Sequence, residues 1–195
     1  MRILIDIRLL ARGENSGIEE YTRNLLISLL TLDESNSYTL FYNGLRSKPL
    51  NFQFPMPTGR QAISNFQTRI INWRIPNKLL DLSTRFLNFP AIDQLIKTDA
   101  VFSPHFNILK TRKAPRVITF HDLSFLHHPD FFSWRQRFWH WLQDVKRQAR
   151  EATKIIAVSE FTKSDLVNLL GIPSEKITVV YSGISEAFKA NTGSS

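Results

Sequence analysis

Residues 154–181, KIIAVSEFTKSDLVNLLGIPSEKITVVY, carry the pattern that decides the fold class. The apolar run at residues 154–158 predicts a buried strand, and residues 160–170 predict a helix that ends at Gly171. Residues 176–181 predict a second buried strand. A strand, a helix and a strand in this order favour two parallel strands with the helix packed across them.

The same alternation continues toward the N-terminus. Short apolar runs predict further strands at residues 3–7, 38–42, 100–103 and 116–120. Helical spacing of apolar residues predicts a helix from Ile18 to Leu29, broken helical pieces over 61–97 and one long helix over 133–151. Prolines and glycines in residues 45–60 predict a stretch that is mostly loop, with one edge strand as the alternative for part of it. The chain is therefore predicted to be an α/β protein, with a parallel sheet and helices on both of its faces.

Length and composition agree with one large globular domain. The chain has 195 residues, of which 43% are hydrophobic and 22% are charged, so a disordered or fibrous protein is excluded. The absence of cysteine excludes disulfide scaffolds, thiolate metal sites and thiol nucleophiles. No apolar run approaches the ~20 residues of a membrane span, and Asp6 and Arg8 interrupt the N-terminal run too early for a signal peptide. We expect a cytoplasmic protein.

The net charge of +8 is concentrated in the middle of the chain. Residues 51–150 hold 15 of the 25 Lys and Arg but only 6 of the 17 Asp and Glu. Such a region suits nucleic acid, an anionic membrane surface or a phosphorylated substrate, and a solvated basic face without a partner is the fourth alternative. No recognition-helix or RNA-binding pattern is present, so nucleic acid is not expected.

Polar residues follow the predicted strands, and ligands of parallel sheets bind at the carboxyl ends of strands. The residues in these positions are Asp6, Arg8, His105, His121, Asp122, Ser159, Glu160, Ser182 and Gly183. His121 and Asp122 are candidates for orienting a substrate or moving a proton, because imidazole titrates near neutrality. The alternative is that a backbone carbonyl satisfies the histidine.

Gly13 and Gly17 lie in the loop that leads into the first helix. Ser16 and Glu19 fit a capping box, and a free helix N-terminus beside glycine is a ready anion site. The dinucleotide fingerprint G-x-G-x-x-G, the phosphate loop G-x-x-x-x-G-K and the hydrolase motif G-x-S-x-G are absent from the sequence. The pair His127 and His128 lacks a third ligand at a recognisable spacing, so no metal site is predicted.

The helix after Ser133 combines an apolar stripe with cations. The stripe, which we interpret as core, consists of Trp134, Phe138, Trp141, Leu142, Val145 and Ala149. Trp139 lies on its flank near Arg135, Lys146 and Arg150, which suits a membrane interface or a protein partner. The alternative is that Trp139 packs beneath a neighbouring loop.

Three blocks of the sequence together resemble a known family. They are residues 1–30, MRILIDIRLLARGENSGIEEYTRNLLISLL, residues 117–133, VITFHDLSFLHHPDFFS, and residues 154–188, KIIAVSEFTKSDLVNLLGIPSEKITVVYSGISEAF. In order and spacing they resemble the N-terminal domain of retaining glycosyltransferases of the GT-B fold, family 4. The resemblance implies one of two Rossmann-like domains that face each other across a cleft.

The resemblance also implies roles for individual residues. Gly17 would lie near the phosphates of a nucleotide-sugar donor, and His121 would face the transferred sugar and the acceptor. Asp122, Ser159, Glu160 and, with a looser match, His105 would line the acceptor side of the cleft. Neither a metal nor a cofactor is implied, since the nucleotide-sugar is a substrate.

Two departures from the family pattern matter. Glu20 stands where the family often has arginine, so it either weakens a substrate contact or lies on an outward helix position. No pair of glutamates after residue 150 has the spacing of the family's E-x7-E motif. We therefore expect a Rossmann-like domain over residues 1–183, a linker or tail over 184–195, and no donor-binding domain.

Two hypotheses follow. The first is the acceptor-binding domain of an enzyme that transfers a sugar to a glycan or lipid-linked acceptor, inactive alone and placed in the cytoplasm or on the inner face of the membrane. The second is a non-catalytic module of the same fold that docks on an anionic membrane or a partner protein.

Overall fold

In the part of the chain that the structure describes, seven parallel strands form one sheet. The computed structural model describes residues 1–11, 16–44 and 68–183, and in this part of the chain the strand order is β3-β2-β1-β4-β5-β6-β7. The strands are β1 (Arg2–Asp6), β2 (Ser37–Tyr42), β3 (Thr68–Asn72), β4 (Ala100–Ser103), β5 (Arg116–Phe120), β6 (Lys154–Ala157) and β7 (Ile177–Val179). Every neighbouring pair is parallel.

The helices are of very different lengths. They are α1 (Gly17–Leu32), α2 (Asn77–Leu87), α3 (Ile92–Leu95), α4 (Ser124–His127), α5 (Trp134–Gln143), α6 (Val145–Glu151) and α7 (Glu160–Asn168). Short 3₁₀ turns cover Arg8–Ala11, Pro129–Phe131 and Ser174–Lys176. Among the residues that the structure describes, no helix has the length and apolar character needed to span a bilayer.

Alternate residues of β1 point to opposite faces of the sheet, as they must in a pleated strand. Leu4 packs in a cluster with Leu80 and Ile92 of α2 and α3, whereas Ile5 packs in another cluster with Leu26 of α1. A third cluster joins β5, β6 and β7 to α6 and α7. Helices therefore cover both faces, which confirms the predicted three-layer α/β fold.

The sheet order reverses direction between β1 and β4. From β1 the chain runs outward through β2 and β3, returns beside β1 as β4, and then runs outward through β5, β6 and β7. The loops after β1 and β4 therefore diverge and leave a crevice at the carboxyl edge of the sheet. This crevice positions the candidate site.

Two elements differ from the sequence prediction. Residues 68–72 form strand β3 instead of a helical piece, and β3 pairs with β2 along its whole length. The long helix predicted over residues 133–151 is wrong, because Asp144 adopts a left-handed conformation with φ 48° and separates α5 from α6. The carboxylate of Asp144 pairs with Arg85 of α2, so a tertiary contact accompanies the break.

The other predicted elements are present with small shifts at their ends. Gly171 follows α7 with φ 68°, the left-handed conformation that glycine adopts without strain. Four predicted features lie outside the described residues. They are the loop at residues 45–60, the start of the helical stretch at 61–67, Gly13 and the tail at 184–195. The domain boundaries remain predictions.

Candidate functional site

His121 lies at the end of β5 and is held from two sides. Its Nε2 donates a hydrogen bond to the carbonyl of Pro104 at 2.9 Å, and its ring meets the ring of Tyr21 edge-on with the centroids 4.7 Å apart. Burial lowers the pKa of His121, because removal from water penalises the imidazolium. A neutral imidazole that donates through Nε2 carries its lone pair on Nδ1, so Nδ1 is an acceptor.

The structure brings His105 close to His121, as the strand ends predict. His105 is buried in the loop after β4, and the centroids of the two imidazoles are 6.2 Å apart. His105 also contacts an aromatic residue. The ring of Trp139 stacks nearly parallel to the ring of His105, with the centroids 6.0 Å apart. Trp139 is half-buried. Its contact with the loop after β4 agrees with the alternative that Trp139 packs beneath a neighbouring loop.

The loop after β4, residues 104–110, is anchored by buried polar side chains. Gln143 accepts a hydrogen bond from the N–H of Ile108 at 2.6 Å, and Gln148 donates to the carbonyl of Phe106 at 2.8 Å. Arg116 donates to the carbonyls of Asn107 and Leu109 at 2.9 Å and 2.6 Å. Burial lowers the pKa of Arg116 to about 9. These bonds fix the loop that carries Pro104 and His105.

A buried ion cluster follows β1. The guanidinium of Arg8 binds both carboxylate oxygens of Asp6, at 2.9 Å and 2.7 Å, and lies 3.5 Å from the carboxylate of Asp81 on α2. It also donates to the carbonyl of Ile108. Asp6 and Arg8, both singled out at the strand end, thus bind each other. Asp81 completes the cluster and was not predicted from the sequence. Its partner Arg8 is more than 70 residues away, and nothing in the local sequence of α2 indicates that contact.

A cavity of about 800 Å³ opens between α2, α5 and the loops after β1 and β4. Its lining residues come from four separate segments and combine aromatic rings with amide and basic groups: Arg8, Asn77, Lys78, Asp81, Asn107, Trp134, Arg135, Phe138, Trp139 and Leu142. Trp139 joins this cavity to the pair of histidines, because it lines the cavity on one side and stacks on His105 on the other. From this set the sequence had singled out Arg8, Arg135 and Trp139 as functional candidates. It had assigned Trp134, Phe138 and Leu142 to the core instead.

Asp122, Ser159 and Glu160 lie beside His121 at the starts of helices. Asp122 accepts hydrogen bonds from the N–H and hydroxyl of Ser124, and Ser159 caps α7 by accepting from the N–H of Thr162. Thr162 in turn donates to the carbonyl of His121 at 3.1 Å. Glu160 is exposed at the first position of α7. The side chains of Asp122 and Ser159 therefore make structural hydrogen bonds, and any contact that they make with a ligand in the cleft must be compatible with these bonds.

Gly17 is the first residue of α1, and Ser16 caps this helix by accepting from the N–H of Glu19 at 3.3 Å. A Cβ added to Gly17 would meet no atom of the described chain within 4 Å. Tyr21, one turn along the helix, contacts His121, so the start of α1 lies next to the end of β5. Glu20 pairs with Arg23 at 3.0 Å on the exposed side of α1, which fits the outward position considered above.

The four residues grouped as a membrane or partner surface are divided by the break at Asp144. Arg135 and Trp139 belong to α5 and line the cavity, whereas Lys146 and Arg150 are exposed on α6. Their grouping assumed one continuous helix, which the structure does not contain. A contact role for these four residues stays a prediction.

Comparison with known proteins assigns the chain to a family. The model of Glycosyltransferase Family 4 matches residues 16–188. The chain belongs to Glycosyltransferase Family 4. This confirms the family that the three sequence blocks resemble and the expectation of an N-terminal domain of that family. No curated protein matches the chain.

Two solved structures show the same fold at low sequence identity. The crystal structure of HepE from Anabaena in complex with UDP-glucose has a TM-score of 0.51 and 13% identity, and the match covers 95% of this chain and 44% of HepE. The apo form of WaaB, a lipopolysaccharide outer core galactosyltransferase, has a TM-score of 0.52 and 14% identity, with 95% and 46% covered. The chain therefore spans less than half the length of either structure.

Proposed function

We propose that this chain is the acceptor-binding half of an enzyme that transfers a sugar from a nucleotide-sugar to a glycan or lipid-linked acceptor. The observation that carries the proposal is the connection of the cavity to His121 through Trp139 and His105 at the carboxyl edge of the sheet. Membership of Glycosyltransferase Family 4 supports the reaction class. The UDP-glucose bound to HepE supports a nucleotide-sugar as donor.

The cavity has the chemistry that an acceptor sugar needs. The rings of Trp134, Phe138 and Trp139 offer flat apolar surfaces to the C–H faces of a pyranose. The amides of Asn77 and Asn107 offer donors and acceptors to its hydroxyls. A mostly apolar pocket with a few convergent polar groups is typical of small-molecule sites.

In the transfer, the bond between the anomeric carbon and the leaving phosphate oxygen breaks, and a bond to an acceptor hydroxyl oxygen forms. The leaving phosphate takes the electron pair of the broken bond, and the acceptor hydroxyl passes its proton to an oxygen of that phosphate. His121 contributes as a neutral hydrogen-bond acceptor through Nδ1, since its Nε2 proton is held by the Pro104 carbonyl. It positions a sugar hydroxyl and does not supply a positive charge to the phosphate.

Stabilisation of the leaving phosphate is a large share of such catalysis. The N-terminus of α1 at Gly17 offers backbone N–H groups and the positive end of a 16-residue helix for this purpose. We assign the remaining donor contacts, including an E-x7-E pair, to a part of the enzyme outside this chain. The isolated chain is therefore expected to bind acceptor without turning over donor.

Saturation-transfer NMR with a panel of soluble glycosides tests acceptor binding to the chain. We expect at least one glycoside to bind, with about tenfold weaker binding in Asn107→Ala, because each buried hydrogen bond to a ligand contributes roughly 1 kcal/mol or more. Phe161→Ala, an exposed aromatic on α7 away from the cavity, is the matched control. An unchanged affinity for the glycoside in Asn107→Ala would contradict the proposed acceptor site. Turnover of a nucleotide-sugar by the chain alone would contradict the proposal that the donor contacts lie in another part of the enzyme.

Gly17→Ala tests the donor side. Because a Cβ at this position meets no atom of the described chain within 4 Å, the melting temperature of the chain should stay unchanged. In the enzyme that includes the donor-binding half, the added methyl group lies where phosphates approach, and kcat/KM should fall by about tenfold or more. An unchanged kcat/KM would show that the phosphates do not come close to the start of α1.

A further inference from the structure

Helices α2 and α5 expose the apolar sides that amphipathic helices normally bury. On α2, Leu79, Leu82 and Phe86 share one side and are all exposed, Phe86 to 58%. The side of α2 that packs inward carries Leu80 together with the polar Asp81. An apolar stripe at helical spacing usually faces the core, so its exposure here needs an explanation.

Helix α5 repeats this arrangement. Trp134, Phe138 and Trp141 share one side at helical spacing, with exposed fractions of 73%, 50% and 51%. The inward side of α5 carries Leu142 and the buried Gln143. The stripe that helical spacing predicted to be core is therefore exposed over its first three residues and reaches the core only from Leu142 onward.

The two stripes form one continuous surface, which we call the docking face: Leu79, Leu82, Phe86, Trp134, Phe138 and Trp141. Phe86 and Trp141 connect the helices, with ring centroids 6.1 Å apart, and Phe138 lies against Trp141 at 5.6 Å. An exposed surface of six large apolar side chains on two packed helices marks an interaction site.

The charges around the docking face are positive. Lys78 and Arg85 on α2 and Arg135 and Arg137 on α5 flank it, whereas the acidic residue within these two helices, Asp81, is buried beside Arg8. The guanidinium of Arg85 lies over the ring of Trp141 at 4.8 Å, and that of Arg135 over Trp134 at 5.4 Å. Asp144 lies next to the face and is paired with Arg85.

We propose that the docking face inserts into the interfacial region of an anionic lipid bilayer. Tryptophan, phenylalanine and leucine on one side of a helix, with arginine and lysine around them, are the chemistry of helices that lie in a bilayer surface. A second copy of the chain fits the face less well, since two such faces would bring together six basic side chains, Lys78, Arg135 and Arg137 of each copy, without acidic partners in these helices. The proposal does not depend on sugar transfer.

Bilayer contact at this face would also bring the cavity to the membrane surface. Trp134 and Phe138 belong both to the docking face and to the cavity lining. The docking face differs from the contact surface predicted around Trp139 and shares only Arg135 with it. Trp139 itself is stacked on His105, so its ring is unavailable to lipid on that side.

Flotation of the chain with vesicles tests the proposal. We expect binding to phosphatidylcholine vesicles that contain about one third phosphatidylglycerol, weaker binding to phosphatidylcholine alone and a decrease with added salt. The variant Phe86→Ser with Trp141→Ser should reduce partitioning by about tenfold or more, since two exposed aromatic side chains that would be buried in the bilayer are lost. Phe161→Ser with Leu32→Ser, which replaces two exposed apolar residues elsewhere, should bind like the unmodified chain.

Charge and insertion are tested separately. Arg135→Glu with Arg137→Glu should abolish the preference for anionic vesicles, whereas Arg112→Glu with Lys113→Glu, exposed in the segment before β5, should retain it. In the unmodified chain, brominated lipids should quench tryptophan fluorescence, a readout that requires no variant to fold. The proposal is overturned if anionic vesicles fail to bind the chain or bind the Phe86 and Trp141 variant equally. A dimer of the chain that this variant dissociates would also overturn it.

Discussion

Gln143 joins the exposed helix α5 to the loop that carries the histidines, and its replacement by leucine is a sharp test of the site's architecture. The side chain is buried, accepts from the N–H of Ile108 at 2.6 Å and donates to the carboxylate of Asp81 at 3.1 Å. Gln143→Leu keeps the approximate size of the side chain and removes both hydrogen bonds. The N–H of Ile108 is then buried without its acceptor.

The expected loss follows from these two bonds. An unpaired buried N–H costs roughly 1–3 kcal/mol, and a hydrogen bond to a charged group contributes roughly 1.5–3 kcal/mol. Asp81 keeps its contact with Arg8, and leucine gains some free energy from its burial. We therefore expect the free energy of unfolding to fall by about 3 kcal/mol, which lowers the melting temperature by about 6–12 °C for a chain of this size.

Urea denaturation and thermal melting measure this loss, and Gln94→Leu on the exposed surface of α3 is the control. The control should stay within about 0.5 kcal/mol of the unmodified chain. The NMR signal of the His121 ring should also shift, because the loop held by Gln143 includes its partner Pro104. A loss below about 1 kcal/mol, with His121 unchanged, would refute the view that Gln143 holds the loop.

Two further predictions concern the residues around His121. Because burial lowers the pKa of His121, the unfolded chain takes up the proton first as the pH falls below about 6.5, and stability decreases toward acid. His121→Asn should reduce this decrease between about pH 7 and pH 5, as measured by urea denaturation, and equal slopes would contradict it. Ser159→Ala should cost about 1 kcal/mol through loss of the cap of α7, while Ser159→Asp should retain stability. Equal melting temperatures for the two variants would show that the cap is not what Ser159 contributes.

The local sequence pattern was sufficient to predict the strands and helices whose starts and ends are indicated by residues close together in the chain. The segment 154–181 contains its own strand, helix, stop and strand, and Gly171 adopts the positive φ that its identity suggests. The alternation of such units predicts a parallel sheet, and the carboxyl ends of its strands predict where His105 and His121 meet. These inferences need only periodicity and the general geometry of parallel sheets.

The two elements that the sequence predicted wrongly, β3 and the long helix over 133–151, both make contacts with distant segments. Residues 68–72 contain the β-branched Thr68, Ile70 and Ile71, which suit a strand as well as a helical piece, and they form β3 by pairing with β2. The break at Asp144 has no proline or glycine to announce it, and the contact with Arg85 of α2 accompanies it. Both effects depend on groups that are distant in the sequence.

The sequence by itself determined the fold class, the family and the residues at the strand ends, because these follow from spacing along the chain. Only the tertiary structure decided that α2 and α5 turn their apolar stripes outward. Helical periodicity states which side chains share a face, but it does not state which face meets the rest of the protein. Here the inward position is occupied by Asp81 and Gln143, whose burial is stabilised by partners such as Arg8 and Ile108 from distant segments. Because Asp81 and Gln143 pair with polar groups of distant segments on the inner side, the apolar side of both helices is exposed.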